Sequence, residues 1–366
     1  MLCPVCGREE NENVWVCPEC GASIKGGVVF VTGITGSDVN RILGEVAKLA
    51  EEHKHAVMVH DVGELMRCQA KQSRTLIEWD RILDASPKVL RLLRALAFAD
   101  IENKIKQHPT HLHIVDLHLS FRWYAYLTPG FEPYLIRGFI PYVRLLINVV
   151  QDLDRIQRYL EGTAWGRRNI LELLMWRDEE RLLTDIYAGI CGGVRSFTVA
   201  AAEPPSTIEQ LIWHPDVKRV YLSFPMTAIK NDKEANKEIR TFRDRLREFV
   251  VVFDPASCED YDKTYQRPDM KIIKKEVGQA TIERDFRYID QTDAIVVYYP
   301  KRVDSQGVDA EMRHAFESGK PVYLYCPDEL RYGPFQPPAD HTSMDREGYL
   351  KLLRRKLGAE KGGEKC

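Results

Sequence analysis

The stretch DSQGVDAEMRHAFESGKPVYLY, residues 304–325, decides the fold of the second half of the chain. A polar loop containing one glycine leads into a short helical pattern. Gly319-Lys320-Pro321 then turns the chain into the apolar run PVYLY. A short helix followed at once by an apolar strand is the repeating unit of an α/β sheet. Glu311 falls at the expected junction of loop and helix, where an acidic side chain can face a pocket at the end of a sheet.

The same alternation extends outward in both directions. Before this stretch come KRVYLSF (218–224), a charged helical pattern over 231–249, VVVFDP (250–255), a helical pattern over 278–293, and AIVVYYP (294–300). Nearer the N-terminus, VVFVTG (28–33) reads as a strand, 38–54 and 86–107 as helices, and HLHIVDLHL (111–119) as a strand. Helical patterns follow over 150–160 and 169–189, then SFTVAA (196–201), and a break at Glu203-Pro204-Pro205-Ser206. Strands alternating with helices predict an α/β protein with two parallel-sheet domains. Ligands of such sheets bind at the carboxyl ends of the strands. The expected domains are 27–205 and 206–330, after a small module at 1–26 and before an extension at 331–366 with a disordered polar tail.

With 366 residues, two or three domains are natural. The 54 acidic and 52 basic side chains leave a net charge of −2, so the bulk charge offers no footprint for nucleic acid. No apolar run is long enough to span a bilayer. The start MLCPVCGREE lacks the basic and apolar regions of a secretory signal, so a cytoplasmic location is expected.

Cys3-Pro-Val-Cys6 and Cys17-Pro-Glu-Cys20 are two C-x-x-C pairs ten residues apart, each followed by glycine. Four thiolates so spaced predict a structural Zn²⁺ site with no open coordination position, in a module that looks like a zinc ribbon. A rubredoxin-type iron centre and an accidental clustering of cysteines are the alternatives. The other five cysteines follow no pattern. The histidines at 53, 55, 60, 108, 111, 113 and 118 show no ligand spacing, and surface or hydrogen-bonded roles are expected for them.

After VVFVT comes Gly33-Ile-Thr-Gly36-Ser-Asp38-Val39-Asn40. A working phosphate loop reads G-x-x-x-x-G-K-[ST]. Here Asp38 replaces the second glycine, Val39 the lysine and Asn40 the hydroxyl residue. The positive charge for phosphate and the ligand for Mg²⁺ are both missing. The region nevertheless resembles archaeal adenylate kinases in order: HDVGELM (60–66), IVDLHLS (114–120) with Asp116 and His118, AYLTPGFEP (125–133), and Arg167 and Arg168 at the place of lid arginines. The resemblance implies a degenerate P-loop kinase-like domain in which Gly33, Gly36, Asp116, Arg167 and Arg168 mark the nucleotide-binding positions.

Four pieces of residues 217–326 fit together in the second domain. They are VYLSFPMT (220–227), ERDFRYIDQTDAIVVYY (283–299), SQGVDAE (305–311) and Gly319-Lys320-Pro321. In order and spacing they resemble the nucleoside 2-deoxyribosyltransferase superfamily, which includes 5'-monophosphate N-glycosidases and has a Rossmann-like fold. The resemblance implies Glu311 as the nucleophile at C1' of the sugar, Asp285 as a hydrogen-bond partner of the leaving base or its general acid, and Tyr221 on the adjoining strand. It implies Ser223, Phe224, Pro225, Met226, Ser305 and Gly307 as substrate-binding residues. Ser305, six residues before Glu311, sits where the 5'-monophosphate hydrolases place a serine on the phosphate. Hydrolysis of a (deoxy)nucleoside 5'-monophosphate is therefore expected. The alternatives are 2-deoxyribosyl transfer between bases and a non-catalytic nucleotide-sensing protein. The same resemblance implies a homo-oligomer.

Overall fold

The computed structural model describes residues 9, 26–74, 77–124, 126–260, 273–327 and 338–358. Cys3, Cys6, Cys17 and Cys20, and the tail from 359, lie outside the described residues. The chain divides into two compact units. One is Met1–Trp213 with Asp260–Val277, and the other is His214–Glu259 with Gly278–Cys366. Each is α/β with an all-parallel five-stranded sheet, as the alternation of patterns predicts.

The first unit is built on β1 (Gly27–Thr32), β2 (Val57–Asp61), β3 (Leu112–Leu117), β6 (Val143–Val150) and β7 (Arg195–Ala200), in the order β2-β3-β1-β6-β7. β4 (Ser120–Trp123) and β5 (Tyr126–Pro129) form a separate antiparallel hairpin. β1 and β3 are buried along their whole length, which is why they read as unbroken apolar runs. The helices are α1 (Val39–Glu52), α2 (Val62–Gln72), α3 (Pro87–Gln107), α4 (Leu153–Glu161), α5 (Ile170–Ile190) and α6 (Pro205–Trp213). Phe30, Phe98, Phe131 and Phe139 meet in one aromatic cluster beneath α3. The Pro204-Pro205 break starts α6 rather than ending the unit, because α6 packs against α1. The strand order reverses between β1 and β3.

The second unit holds β8 (Arg219–Ser223), β9 (Val251–Phe253), β10 (Ala294–Tyr298), β11 (Val322–Tyr325) and β12 (His341–Ser343), in the order β12-β11-β10-β8-β9. Numbered within the unit this is 2-1-3-4-5, the flavodoxin-like order, whose ligands bind where the first and third strands part. Here that place is the carboxyl edge between β8 and β10. The helices are the single turn α7 (Met226–Ile229), α8 (Lys233–Arg247), α9 (Lys274–Asp290), which enters the unit at Gly278, α10 (Gln306–Glu317) and α11 (Arg346–Leu357).

Strand periodicity sorts the faces of this sheet. Val220 and Leu222 of β8 join Ala294, Val296 and Tyr298 of β10 in a core with Ile239, Phe242 and Leu246 of α8 and Tyr349, Leu350 and Leu353 of α11. Tyr221 and Ser223, one residue out of phase, point to the opposite face. Beyond residue 330, β12 pairs in parallel with β11, and α11 completes the core.

Candidate active site

Glu311 is not at the junction of loop and helix. α10 starts at Gln306 with Ser305 as its N-cap, so Glu311 lies in the second turn. Ser305 alone satisfies the cap, its Oγ accepting from the Val308 amide at 3.4 Å. This is why the helix begins earlier than the glycine suggests. Val308, Glu311 and Ala315 follow the i, i+3, i+7 spacing of one helix face, and Val308 and Ala315 are buried. That face carries the Glu311 carboxylate inward.

There it meets β8. The Tyr221 hydroxyl donates to Glu311 Oε1 at 2.9 Å, and the Ser223 hydroxyl donates to Oε2. Tyr221 and Ser223 are fully buried, whereas Glu311 retains accessible surface. Ser223 is the last residue of β8 and pairs in register with Val297, so the carboxylate sits at the carboxyl edge where β8 and β10 part.

Asp285 and Arg284 on α9 complete the surroundings. Arg284 is buried and donates from Nε (3.1 Å) and Nη2 (2.9 Å) to Asp285 Oδ1, and from Nη1 to the Cys258 carbonyl. Burial, and then the negative charge of Asp285, hold the Glu311 carboxyl well above its ordinary range. The two hydroxyl donors and the Arg284 charge oppose that rise without cancelling it. Burial and the same two carboxylates push the Tyr221 phenol up as well, so it stays protonated and remains a donor.

Tyr221, Ser223, Asp285 and Glu311 are therefore brought together. The remaining sequence-named residues of the unit are placed as follows. Phe224 is buried in the α8 and α11 core, and Met226 packs against it. Pro225 caps the single turn of α7. Gly307 lies in the first turn of α10, with open space where a Cβ would stand. A cleft of about 460 Å³, lined by Thr227, Asn231, Asp232 and Lys301, opens beside the loop after β8. Arg284 was not singled out from the sequence, although its adjacency to Asp285 was the available signal. Asp309 was not either. Its Oδ1 is buried without a hydrogen-bond partner among the described residues, and burial followed by Asp304 raises its carboxyl.

In the first unit, Gly33 follows β1 so closely against β6 that a Cβ there would lie 2.8 Å from the Val149 carbonyl oxygen. Gly36 (φ 94°) and Asp38 (φ 66°) both take left-handed backbone. Asp38 binds Arg41 at 2.5 Å, and Val39, at the place of the phosphate-loop lysine, is buried in the core. Asp116, near the end of β3, is buried, and burial and then Asp61 raise its carboxyl well above the usual range. Arg168 donates to the Tyr124 carbonyl and to Glu172, both at 3.1 Å, and lies 5.5 Å over the Trp165 ring. Arg167 is 3.9 Å from Glu161. Both arginines line a cleft of about 560 Å³ with Arg81, Trp123, Tyr124 and Trp165.

No protein-family model matches the chain, and no curated protein does. Among solved structures, a gluconokinase from Sinorhizobium meliloti 1021 is 14% identical, covering 50% of this chain and 87% of that chain, with a TM-score of 0.28. A sugar kinase from Janibacter sp. HTCC2649 is 8% identical, covering 51% and 91%, with a TM-score of 0.31. A shikimate kinase from Acinetobacter baumannii, in complex with shikimate, is 11% identical, covering 53% and 96%, with a TM-score of 0.32. Among the described residues, no helix is long and apolar enough to cross a membrane.

Proposed function

We propose that the second unit cleaves the N-glycosidic bond of a (deoxy)nucleoside 5'-monophosphate through a covalent glycosyl ester on Glu311. The observation that carries this reading is the carboxylate itself. It is enclosed, partly accessible, and gripped by Tyr221 and Ser223 at the carboxyl edge of the sheet, with Asp285 close enough to raise its pKa.

In the first step a Glu311 oxygen attacks C1' while the C1'–N bond breaks. The bonding electron pair leaves with the base, which takes a proton from Asp285. In the second step water attacks C1' of the ester and gives its proton to Asp285. Sugar 5-phosphate departs and the Glu311 carboxylate is restored. The negative charge of Asp285 bears directly on the Glu311 carboxyl. Positive charge developing at C1' favours the ionised form of Glu311, which is the form the first step uses. Tyr221 and Ser223 orient the nucleophile. The Ser305 hydroxyl, at the amino end of α10, keeps its proton available for the 5'-phosphate while its oxygen caps the helix. We propose no phosphoryl transfer by the first unit, because Asp38 and the buried Val39 supply no positive charge where a transferred phosphoryl group requires it.

The test is incubation of the purified protein with a panel of nucleosides and 5'-monophosphates, with and without a second free base. Base released from a monophosphate without an acceptor is the expected result. Base exchange only in the presence of an acceptor would make the activity a transfer. No reaction with any substrate, or activity unchanged in Glu311→Ala, would overturn the mechanism.

A further inference from the structure

We propose that His53, His55 and Glu209, in the first unit, form a divalent-metal site of the two-histidine, one-carboxylate kind, suited to Zn²⁺. The sequence shows no ligand spacing here because the carboxylate arrives more than 150 residues after the histidines. The fold supplies it. α1 ends with His53 as its C-cap, and Lys54 adopts left-handed backbone (φ 61°), turning the chain between the two histidines. Their ring centres lie 6.3 Å apart. α6, packed on α1, brings Glu209 to them.

Glu209 Oε1 lies 2.9 Å from His53 Nδ1 and 3.9 Å from His55 Nε2, and one ligand atom from each residue falls within 4.8 Å of the others. Bonds of about 2.1 Å at tetrahedral angles put neighbouring ligand atoms about 3.4 Å apart. The two distances bracket that value, so small side-chain adjustments around an ion satisfy both. Trp213, one helical turn beyond Glu209, stacks on His55 at 5.0 Å and 11°, fixing the plane of the ring. His55 and Glu209 are buried, while the His53 side chain is 54% exposed. An ion would therefore enter from the His53 side, with water completing its coordination. The chemistry of imidazole and carboxylate favours Zn²⁺ and its neighbours over Mg²⁺ or Ca²⁺. Bound there, the ion ties the end of α1 to α6.

The test uses the full chain, stripped with a chelator and titrated with Zn²⁺ against a competing chromophore, and separately with Co²⁺ followed by absorption. His53→Ala, at an exposed position, and Glu209→Gln are compared with the unaltered protein. Any metal held by the N-terminal cysteines contributes equally to all three. The expected result is one further equivalent in the unaltered protein, with Co²⁺ absorption free of a thiolate charge-transfer band. That equivalent should weaken more than tenfold in both variants. Equal stoichiometry and affinity in all three proteins would overturn the proposal. So would a thiolate band on the further equivalent, or a loss confined to Glu209→Gln with His53→Ala unchanged.

Discussion

Each unit keeps a glutamate on a helix against its parallel sheet, and the two differ in burial and in how their oxygens are used. Glu180 of α5 is completely buried. Its Oε1 accepts from the Leu119 amide at 2.7 Å and from the Thr32 hydroxyl. Its Oε2 accepts from the Ser120 amide at 2.8 Å and the Ser120 hydroxyl at 2.6 Å. Burial still pushes its carboxyl up to about 7. Glu311 is raised too, but two side-chain hydroxyls hold it, it keeps some accessible surface, and a second carboxylate stands beside it. A raised carboxyl therefore does not by itself mark a reactive group. Glu180 is saturated by two main-chain amides and two hydroxyls and joins β1 to the β4–β5 hairpin. Glu311 accepts from two side-chain hydroxyls and keeps some accessible surface.

Four experiments separate the two glutamates. Glu311→Ala should lower base release by ~1,000-fold or more while the protein stays folded, read by product assay alongside circular dichroism. Glu180→Ala should instead cost about 3 kcal/mol or more of stability, because two buried amides lose their acceptor. Urea unfolding measures this, and a loss under 1 kcal/mol would contradict the structural role. Tyr221→Phe should lower kcat/KM by about 10- to 100-fold. It should also move the acidic limb of the pH profile upward, because the lost donor had lowered the Glu311 pKa. The smallest effect concerns stability against pH. The folded pKa of Glu311 is raised, so its contribution is favourable while it is protonated and is lost as pH rises through the folded value. Glu311→Gln should therefore gain stability relative to the unaltered protein toward alkaline pH, measured as the difference in Tm across a pH series.

Much of this was legible in the sequence, and the gaps have physical causes. β1, β3, β8 and β10 are buried on both faces, so they stand out as apolar runs. β2, at the edge of its sheet, is only partly buried, and His60 and Asp61 interrupt its pattern. Arg144 and Asn148 interrupt β6 in the same way. Glu311, Asp285 and Tyr221 could be named because each belongs to a local motif. Glu209 could not, since only the packing of α6 on α1 places it beside His53. Glu180 could not either, because its partners lie 60 and 148 residues away in the chain.

The edge formed by β12 has a consequence for handling the protein. β12 pairs with β11 over residues 323–325, and the Tyr349 hydroxyl on α11 donates to the Tyr323 carbonyl at 2.8 Å, with the Val297 carbonyl at 3.2 Å. A chain cut near residue 330 would keep every residue proposed for chemistry yet leave the side of β11 as an open template for another strand. Such a truncation is expected to self-associate through that edge, turning a question about catalysis into one about solubility.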